Sequence, residues 1–209
     1  MERLLDEIES LKNGSVRKVV DSRMRQFREL GSKSADEIFG ELCFCIMTAN
    51  FNAQRSVDIQ RSVGAGFRRL GEKELASKLK EGGHRFPEAR AKYIADAQTK
   101  ALGIAREIAR MKGDEQALRK WLAENVRGLG YKEASHFMRN IGFTDVAIID
   151  FHIVDLLVRY GIIERPKTLT PKRYLGIEAV LRDVAKKTGL NLAELDLYLW
   201  YMETGKILK

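Results

Sequence analysis

The sequence has little of what disulfide-stapled, metal-cluster and membrane proteins require. Its 209 residues include only two cysteines and three prolines. Cys43 and Cys45 cannot supply four cluster ligands, and two near neighbours make no disulfide framework. No apolar run reaches the length of about 18 residues that a transmembrane helix needs, and the charged start MERLLDEIESLKNG lacks the apolar centre of a signal peptide. We therefore expect an intracellular protein of the cytoplasm or nucleoid that does not bind a membrane.

Strand patterns are scarce as well, whereas signals for the start of a helix are frequent. With 44% hydrophobic residues the chain can bury a full core, as one domain or as two small lobes that share a groove. We predict an all-α fold. The predicted N-caps are Ser34 in a capping box with Glu37, then Asn52, Asp114, Thr170 and Asn191, and Pro87 fits the first turn of a long helix.

The charge is positive and unevenly distributed. The formal net charge is +8, and the segment from Lys78 to Lys112 holds nine Lys and Arg against four Asp and Glu. A basic surface of this kind suits a polyanionic partner. Scattered, solvated charge explains the same composition equally well, so charge alone does not define a site.

The most informative segment is VRGLGYK, residues 126–132, which joins two helical patterns. Gly128 and Gly130 allow a tight turn whose peptide N–H groups can hold a phosphate beside the next helix N-terminus. That helix is predicted from apolar residues at helical spacing up to Gly142. The pattern is typical of a helix-hairpin-helix motif, which grips the DNA backbone without reading its sequence. An ordinary turn between two helices is the alternative.

Eighteen residues after Lys132, the apolar run 146–149 leads into Asp150. Together with VRGLGYKEASHF, AIIDFH and the ending GKILK, this spacing resembles the helix-hairpin-helix DNA glycosylase superfamily, and within it the archaeal-type 8-oxoguanine DNA glycosylase/lyases. The resemblance is close over 126–152 and weaker elsewhere. It implies one glycosylase unit over 1–209, with a central lobe of 31–125 and a second lobe of 1–30 plus 126–209 on either side of a DNA-binding groove.

The resemblance also assigns the catalytic residues. It implies that Lys132 attacks the sugar of a flipped-out nucleotide and that Asp150 assists. A lysine attacks as the free amine, so a closed pocket has to favour the neutral form by desolvation. Because a carboxylate paired with Lys132 would hold it charged, we expect Asp150 to stabilise positive charge on the sugar or to relay a proton. The alternatives are a solvated lysine and an aspartate that only caps a helix.

Further DNA contacts are implied by the segment TANFNAQR, residues 48–55, which is similar to the segment with which relatives hold the unpaired cytosine. This similarity assigns Asn50 and Arg55 to that cytosine. Phe86, before Pro87, is a candidate wedge for the vacated base stack, with a place in the core as the alternative. His152 is a candidate phosphate contact or a plain surface histidine.

The damaged base needs a pocket of its own, since the chain has no room for the amino-terminal β domain of the eukaryotic relative. We expect Trp200 to offer a stacking face and the terminal Lys209 to offer its carboxylate and ammonium, although burial of Trp200 and a frayed tail are the ordinary alternatives.

The predicted function is excision of 8-oxoguanine opposite cytosine, with a Schiff base at C1′ and β-elimination. The partner is double-stranded DNA containing oxidised guanine, and we expect a monomer. No metal or cofactor is expected, a monovalent cation at the hairpin carbonyls being the one candidate. Excision of another lesion and a non-catalytic DNA-binding module are the alternatives.

Overall fold

The computed structural model describes residues 1–207, and this part of the chain is built from helices without a strand. The predicted all-α fold is confirmed. The helices are α1 (Glu2–Lys12), α2 (Val16–Gly31), α3 (Ala35–Thr48), α4 (Ala53–Val63), α5 (Gly66–Arg69), α6 (Glu72–Glu81), α7 (Pro87–Arg110), α8 (Glu115–Asn125), α9 (Tyr131–Asn140), α10 (Phe151–Arg159), α11 (Pro171–Thr188) and α12 (Leu192–Thr204).

Five helices, α3, α4, α8, α11 and α12, begin where the predicted caps lie, because side-chain oxygens satisfy their first backbone N–H groups. Ser34 Oγ accepts from Glu37 N at 3.3 Å, and the Glu37 carboxylate accepts from Ser34 N at 3.2 Å, which completes the capping box. The same cap, from an oxygen to the N–H three residues on, is made by Asn52, Asp114, Thr170 and Asn191.

The first hydrophobic core surrounds α3, whose residues from Leu42 to Thr48 are all buried. A helix that is apolar on every side is stable only at the centre of a protein, and α4, α5, α7 and α9 pack around this one. Cys43 and Cys45 lie inside this core, and neither forms a disulfide. Burial raises the pKa of the Cys43 thiol well above its usual range, so this thiol stays protonated and unreactive.

A second core is formed by α1, α10, α11 and α12, and α2 packs against α12 in a smaller cluster. The chain passes from the first core to the second between Val146 and Ala147, four residues before Asp150. Helix α9 contributes Ala134, Phe137 and Met138 to the first core. The division of the lobes at residues 30 and 125 stays a prediction.

Within residues 1–207, no helix is both long and apolar enough to span a membrane. The same part of the chain has no group of three or more His, Cys, Asp or Glu side chains placed to hold a metal ion.

Candidate active site

The hairpin between α8 and α9 depends on its two glycines. Gly128 has a φ of +92°, a backbone conformation that residues with a side chain rarely adopt. A Cβ at this position would also lie 2.7 Å from Cδ2 of Tyr93. Gly130 is the N-cap of α9, and its N–H donates to Glu133 Oε2 at 3.1 Å. The predicted hairpin is confirmed, and it places Lys132 in the first turn of α9.

A pocket of about 400 Å³ lies where α9, α10, α12 and the start of α4 meet. This volume falls within the range of small-molecule sites. The residues that line it include one face of α9, the start of α10 and one face of α12: Lys132, His136, Arg139, Asp150, His152, Ile153, Asp196, Leu197, Trp200 and Thr204. The two predicted catalytic residues therefore share one pocket although 18 residues separate them in sequence.

Lys132 is mostly enclosed, with 27% of its side chain exposed. Its Nζ lies 3.6 Å from Oε1 of Glu133. The other oxygen of Glu133 accepts the Gly130 N–H of the hairpin. Glu133 thus joins the turn to the lysine, a contact that the sequence did not indicate.

Asp150 caps α10, since its Oδ1 accepts from Ile153 N at 3.0 Å. The ion pair that the structure shows for Lys132 is with Glu133, and within residues 1–207 no ion pair joins Lys132 to Asp150. Asp150 also lines the pocket, so the capping bond is compatible with the predicted role in the pocket.

The segment that leads into Asp150 is held by two buried side chains of α11. Tyr174 Oη donates to Ala147 O at 2.7 Å and accepts from Ile149 N at 3.1 Å. Glu178 Oε2 accepts from Ala147 N at 2.8 Å. Burial raises the pKa of Tyr174, so its hydroxyl keeps the proton that it donates. These bonds fix the backbone directly before Asp150, the predicted catalytic aspartate.

Glu178 also pairs with Arg119 of α8, and both side chains are almost completely buried. The guanidinium carbon of Arg119 lies 5.1 Å from the ring centre of Tyr131 and 5.6 Å from that of Tyr174. Removal of one partner of a buried ion pair lowers the stability of a protein by several kcal/mol. Since Tyr131 precedes Lys132, the Arg119–Glu178 pair links the surroundings of the two predicted catalytic residues.

A second buried pair, Arg139 with Asp196, lies in the pocket wall itself. Burial raises the pKa of Asp196 to about 6, and the negative charge of Asp150 acts in the same direction, against the opposing effects of Arg139 and Lys132. Arg139 Nε and Nη2 also donate to Asn140 Oδ1, at 3.1 and 2.9 Å. The sequence did not predict this pair. The one local indication was the position of Asp196 between leucines in α12.

The predicted cytosine contacts do not line the pocket, but they are next in sequence to residues that do, Phe51 and Gln54. Asn50 is exposed and has φ of +58°, the one positive φ of a non-glycine residue among the described residues. Arg90 Nη2 donates to Ala49 O at 2.6 Å, and His84 Nε2 is 3.0 Å from Met47 O, which holds the turn around Asn50. Arg55 is exposed in the first turn of α4. Both residues are exposed, and their contact with a cytosine stays a prediction.

Phe86 is the N-cap of α7 and is 39% exposed, so the alternative of a core residue is wrong. Its N–H donates to Nδ1 of His84 at 3.0 Å. Burial lowers the pKa of His84, which favours the neutral ring that accepts here and donates to Met47. His84 therefore joins the Phe86 loop to the turn around Asn50.

The remaining predicted contacts lie around α12. His152 is exposed, and its ring centre is 5.2 Å from that of Trp200. Trp200 is partly buried and lines the pocket. Ile207 packs against the α2–α12 cluster, so the tail folds back at least this far. Lys209 lies outside the described residues. A monovalent cation at the hairpin carbonyls stays a prediction.

Known proteins of one family match this chain over nearly its whole length. The profile of a family described as 8-oxoguanine DNA glycosylase matches residues 20–190. An 8-oxoguanine DNA glycosylase/AP lyase of Korarchaeum cryptofilum is 52% identical over 207 residues, which are 99% of this chain and 98% of the relative. The crystal structure of the Methanocaldococcus jannaschii 8-oxoguanine glycosylase/lyase in complex with a 15mer DNA containing 8-oxoguanine superposes with a TM-score of 0.94 at 46% identity, and covers 99% of this chain and 100% of that one. The 8-oxoguanine DNA glycosylase of Thermotoga maritima gives a TM-score of 0.92 at 40% identity, covering 100% and 99% of the two chains.

Proposed function

The chain belongs to the 8-oxoguanine DNA glycosylase family, as the sequence resemblance predicted, and we propose on this premise that it excises 8-oxoguanine opposite cytosine and cleaves the strand at the abasic site. The observation that carries the proposal is the meeting of Lys132, Asp150 and Trp200 in one pocket of about 400 Å³. An amine, a carboxylate and an aromatic face are the groups that base excision through an imine requires.

Binding begins at the phosphates. The N–H groups of the hairpin and the excess of Lys and Arg grip the duplex backbone without reading sequence. Flipping the damaged nucleotide into the pocket costs a few kcal/mol of unstacking. The exposed ring of Phe86 offsets part of this cost by filling the gap in the stack. Asn50 and Arg55 hydrogen-bond the cytosine that has lost its partner.

The chemistry then uses the two groups in separate roles. The neutral amine of Lys132 attacks C1′ of the sugar, and the bond from C1′ to the base breaks with its electron pair leaving on the base. Asp150 stabilises the positive charge that develops on the sugar. The sugar ring opens to an imine between Lys132 and C1′. Loss of a proton from C2′ expels the 3′ phosphate by β-elimination and cuts the strand.

The damaged base is recognised by residues on the α12 side of the pocket. Trp200 stacks on the purine, and its contact with His152 holds the ring in place. The terminal carboxylate and ammonium of Lys209 supply hydrogen bonds to the base edge.

A panel of duplexes tests the proposal. Each duplex carries 8-oxoguanine, guanine, uracil or a base-free site, placed opposite each of the four bases, and released base and strand cleavage are measured separately in single turnover. We expect release and cleavage with 8-oxoguanine opposite cytosine and cleavage alone at the base-free site. Release of a different base would show that the substrate is another lesion. Binding to the duplex without base release or strand cleavage would show that the chain is a non-catalytic DNA-binding module.

A further inference from the structure

The pocket contains two carboxylates in different surroundings, and the mechanism above uses only one of them. Asp150 accepts the Ile153 N–H at the amino end of α10. Asp196 is buried on α12, with 8% of its surface exposed, and it lines the same pocket.

Asp196 meets charged groups from several elements. Helix α9 presents Lys132, His136 and Arg139, the start of α10 presents Asp150 and His152, and α2 places Arg23 within electrostatic reach of Arg139. Helix α11 presents the apolar Leu181 on this side. Glu9, Arg17 and Asp21 of α1 and α2 act instead on Tyr198, which lies on the opposite face of α12.

Within the proposed function, on which this step rests, we infer that Asp196 is the group that accepts the ammonium proton of Lys132 before attack. The transfer passes through a water of the pocket, a route that general bases commonly use. Asp150 is then left to act on the sugar. The bonds from Arg139 to Asn140, and from Asn140 to Glu41 of α3 at 2.6 Å, hold the acceptor against the central core.

The surroundings of Asp196 make it the better acceptor. Burial raises its pKa to about 6, compared with an ordinary aspartate near 3.9. A difference of about two units makes proton transfer from an ammonium about a hundredfold less unfavourable. The same burial limits the number of water molecules that compete for the proton.

The step balances without a co-reactant. An N–H bond of the Lys132 ammonium breaks and an O–H bond forms on Asp196, which leaves a neutral amine and a neutral carboxyl. The amine forms a bond to C1′, and the electron pair of the C1′–base bond leaves with the base. The base anion then takes the proton from Asp196, which returns to the carboxylate, and the amine nitrogen passes its own proton to the ring oxygen as the imine forms.

The test is the pH dependence of single-turnover 8-oxoguanine excision by the full chain, with and without Asp196→Asn. The competent state of the wild type carries one proton shared by the lysine and Asp196, so its rate should be level above about pH 7 and fall below about pH 6. In Asp196→Asn, the Lys132 ammonium has to lose its proton to solvent instead. Its rate at pH 7 should drop at least tenfold and then rise about tenfold per pH unit toward pH 9.

Glu178→Gln is the matched control, because it also removes the charge of a carboxylate from a buried pair with arginine, at a position that does not line the pocket. It should change the height of the curve but keep the wild-type shape, and Asp196→Glu should restore the level region. A curve for Asp196→Asn that is parallel to the wild type, or a rate at pH 7 equal to the wild type or above it, would overturn the inference. Absence of excision and strand cleavage by the wild type would instead refute the proposed function.

Discussion

Replacement of Asp150 by asparagine separates the two tasks that the structure gives this residue. Asp150 Oδ1 accepts the Ile153 N–H at 3.0 Å, and an asparagine oxygen can accept the same bond. Asparagine and aspartate cap helices almost equally well, so the change forfeits only the interaction of the charge with the helix dipole, about 0.3 to 1 kcal/mol. For a chain of 209 residues, about 1 kcal/mol lowers Tm by about 2 to 4 °C. We expect Asp150→Asn to lower Tm by no more than this.

Excision should respond far more strongly than stability. A positioned carboxylate that stabilises charge or moves a proton typically contributes about 10²- to 10⁴-fold in rate. We therefore expect Asp150→Asn to lower the single-turnover excision rate at least a hundredfold while the protein remains folded at the assay temperature. Asp150→Ala, which also removes the cap, should lose a similar factor in rate and about 1 kcal/mol more in stability. Normal excision by a destabilised Asp150→Asn variant would show that the cap was the whole function of Asp150.

Three further changes probe the DNA contacts. Arg55→Ala should reduce the preference for cytosine opposite the lesion more than it reduces duplex affinity, and equal discrimination among the four opposite bases would count against this assignment. Deletion of Lys209, or a carboxy-terminal tag, should slow 8-oxoguanine excision several-fold and affect cleavage at a base-free site less; equal excision by tagged and untagged enzyme would exclude the tail from the pocket. Gly128→Ala should destabilise by about 1 to 3 kcal/mol, since it combines a positive φ with the clash against Tyr93, and an unchanged Tm in a melting experiment would contradict the described hairpin.

The sequence was sufficient for features that depend on neighbours along the chain. A cap such as that of Ser34 or Asn52 satisfies an N–H only three residues away, so its pattern can be read locally. The same holds for the hairpin, because the need for glycine at position 128 is a property of a short turn. Lys132 and Asp150 were found through their spacing and the family resemblance, and the structure places both in one pocket.

The buried ion pairs could not be predicted in the same way. Arg119 and Glu178 are 59 residues apart, and Arg139 and Asp196 are 57 apart, so only the packing of the helices brings them together. Each charged residue taken alone fits an exposed helix face. Once they are buried, each needs a partner of opposite charge, since an unpaired charge inside the protein lowers its stability. A carboxylate between leucines, as at Asp196, indicates burial but not the partner.

Covalent trapping is the most direct test of the central claim that Lys132 is the nucleophile. Wild type, Lys132→Gln and the control Lys120→Gln, whose lysine is 64% exposed on α8, are incubated with a duplex containing 8-oxoguanine opposite cytosine while borohydride reduces any imine. Wild type and Lys120→Gln should give a covalent protein–DNA product in equal yield. Lys132→Gln should give none, although it still binds the duplex through the hairpin and the basic surface. Trapping of Lys132→Gln at the wild-type level would contradict the account.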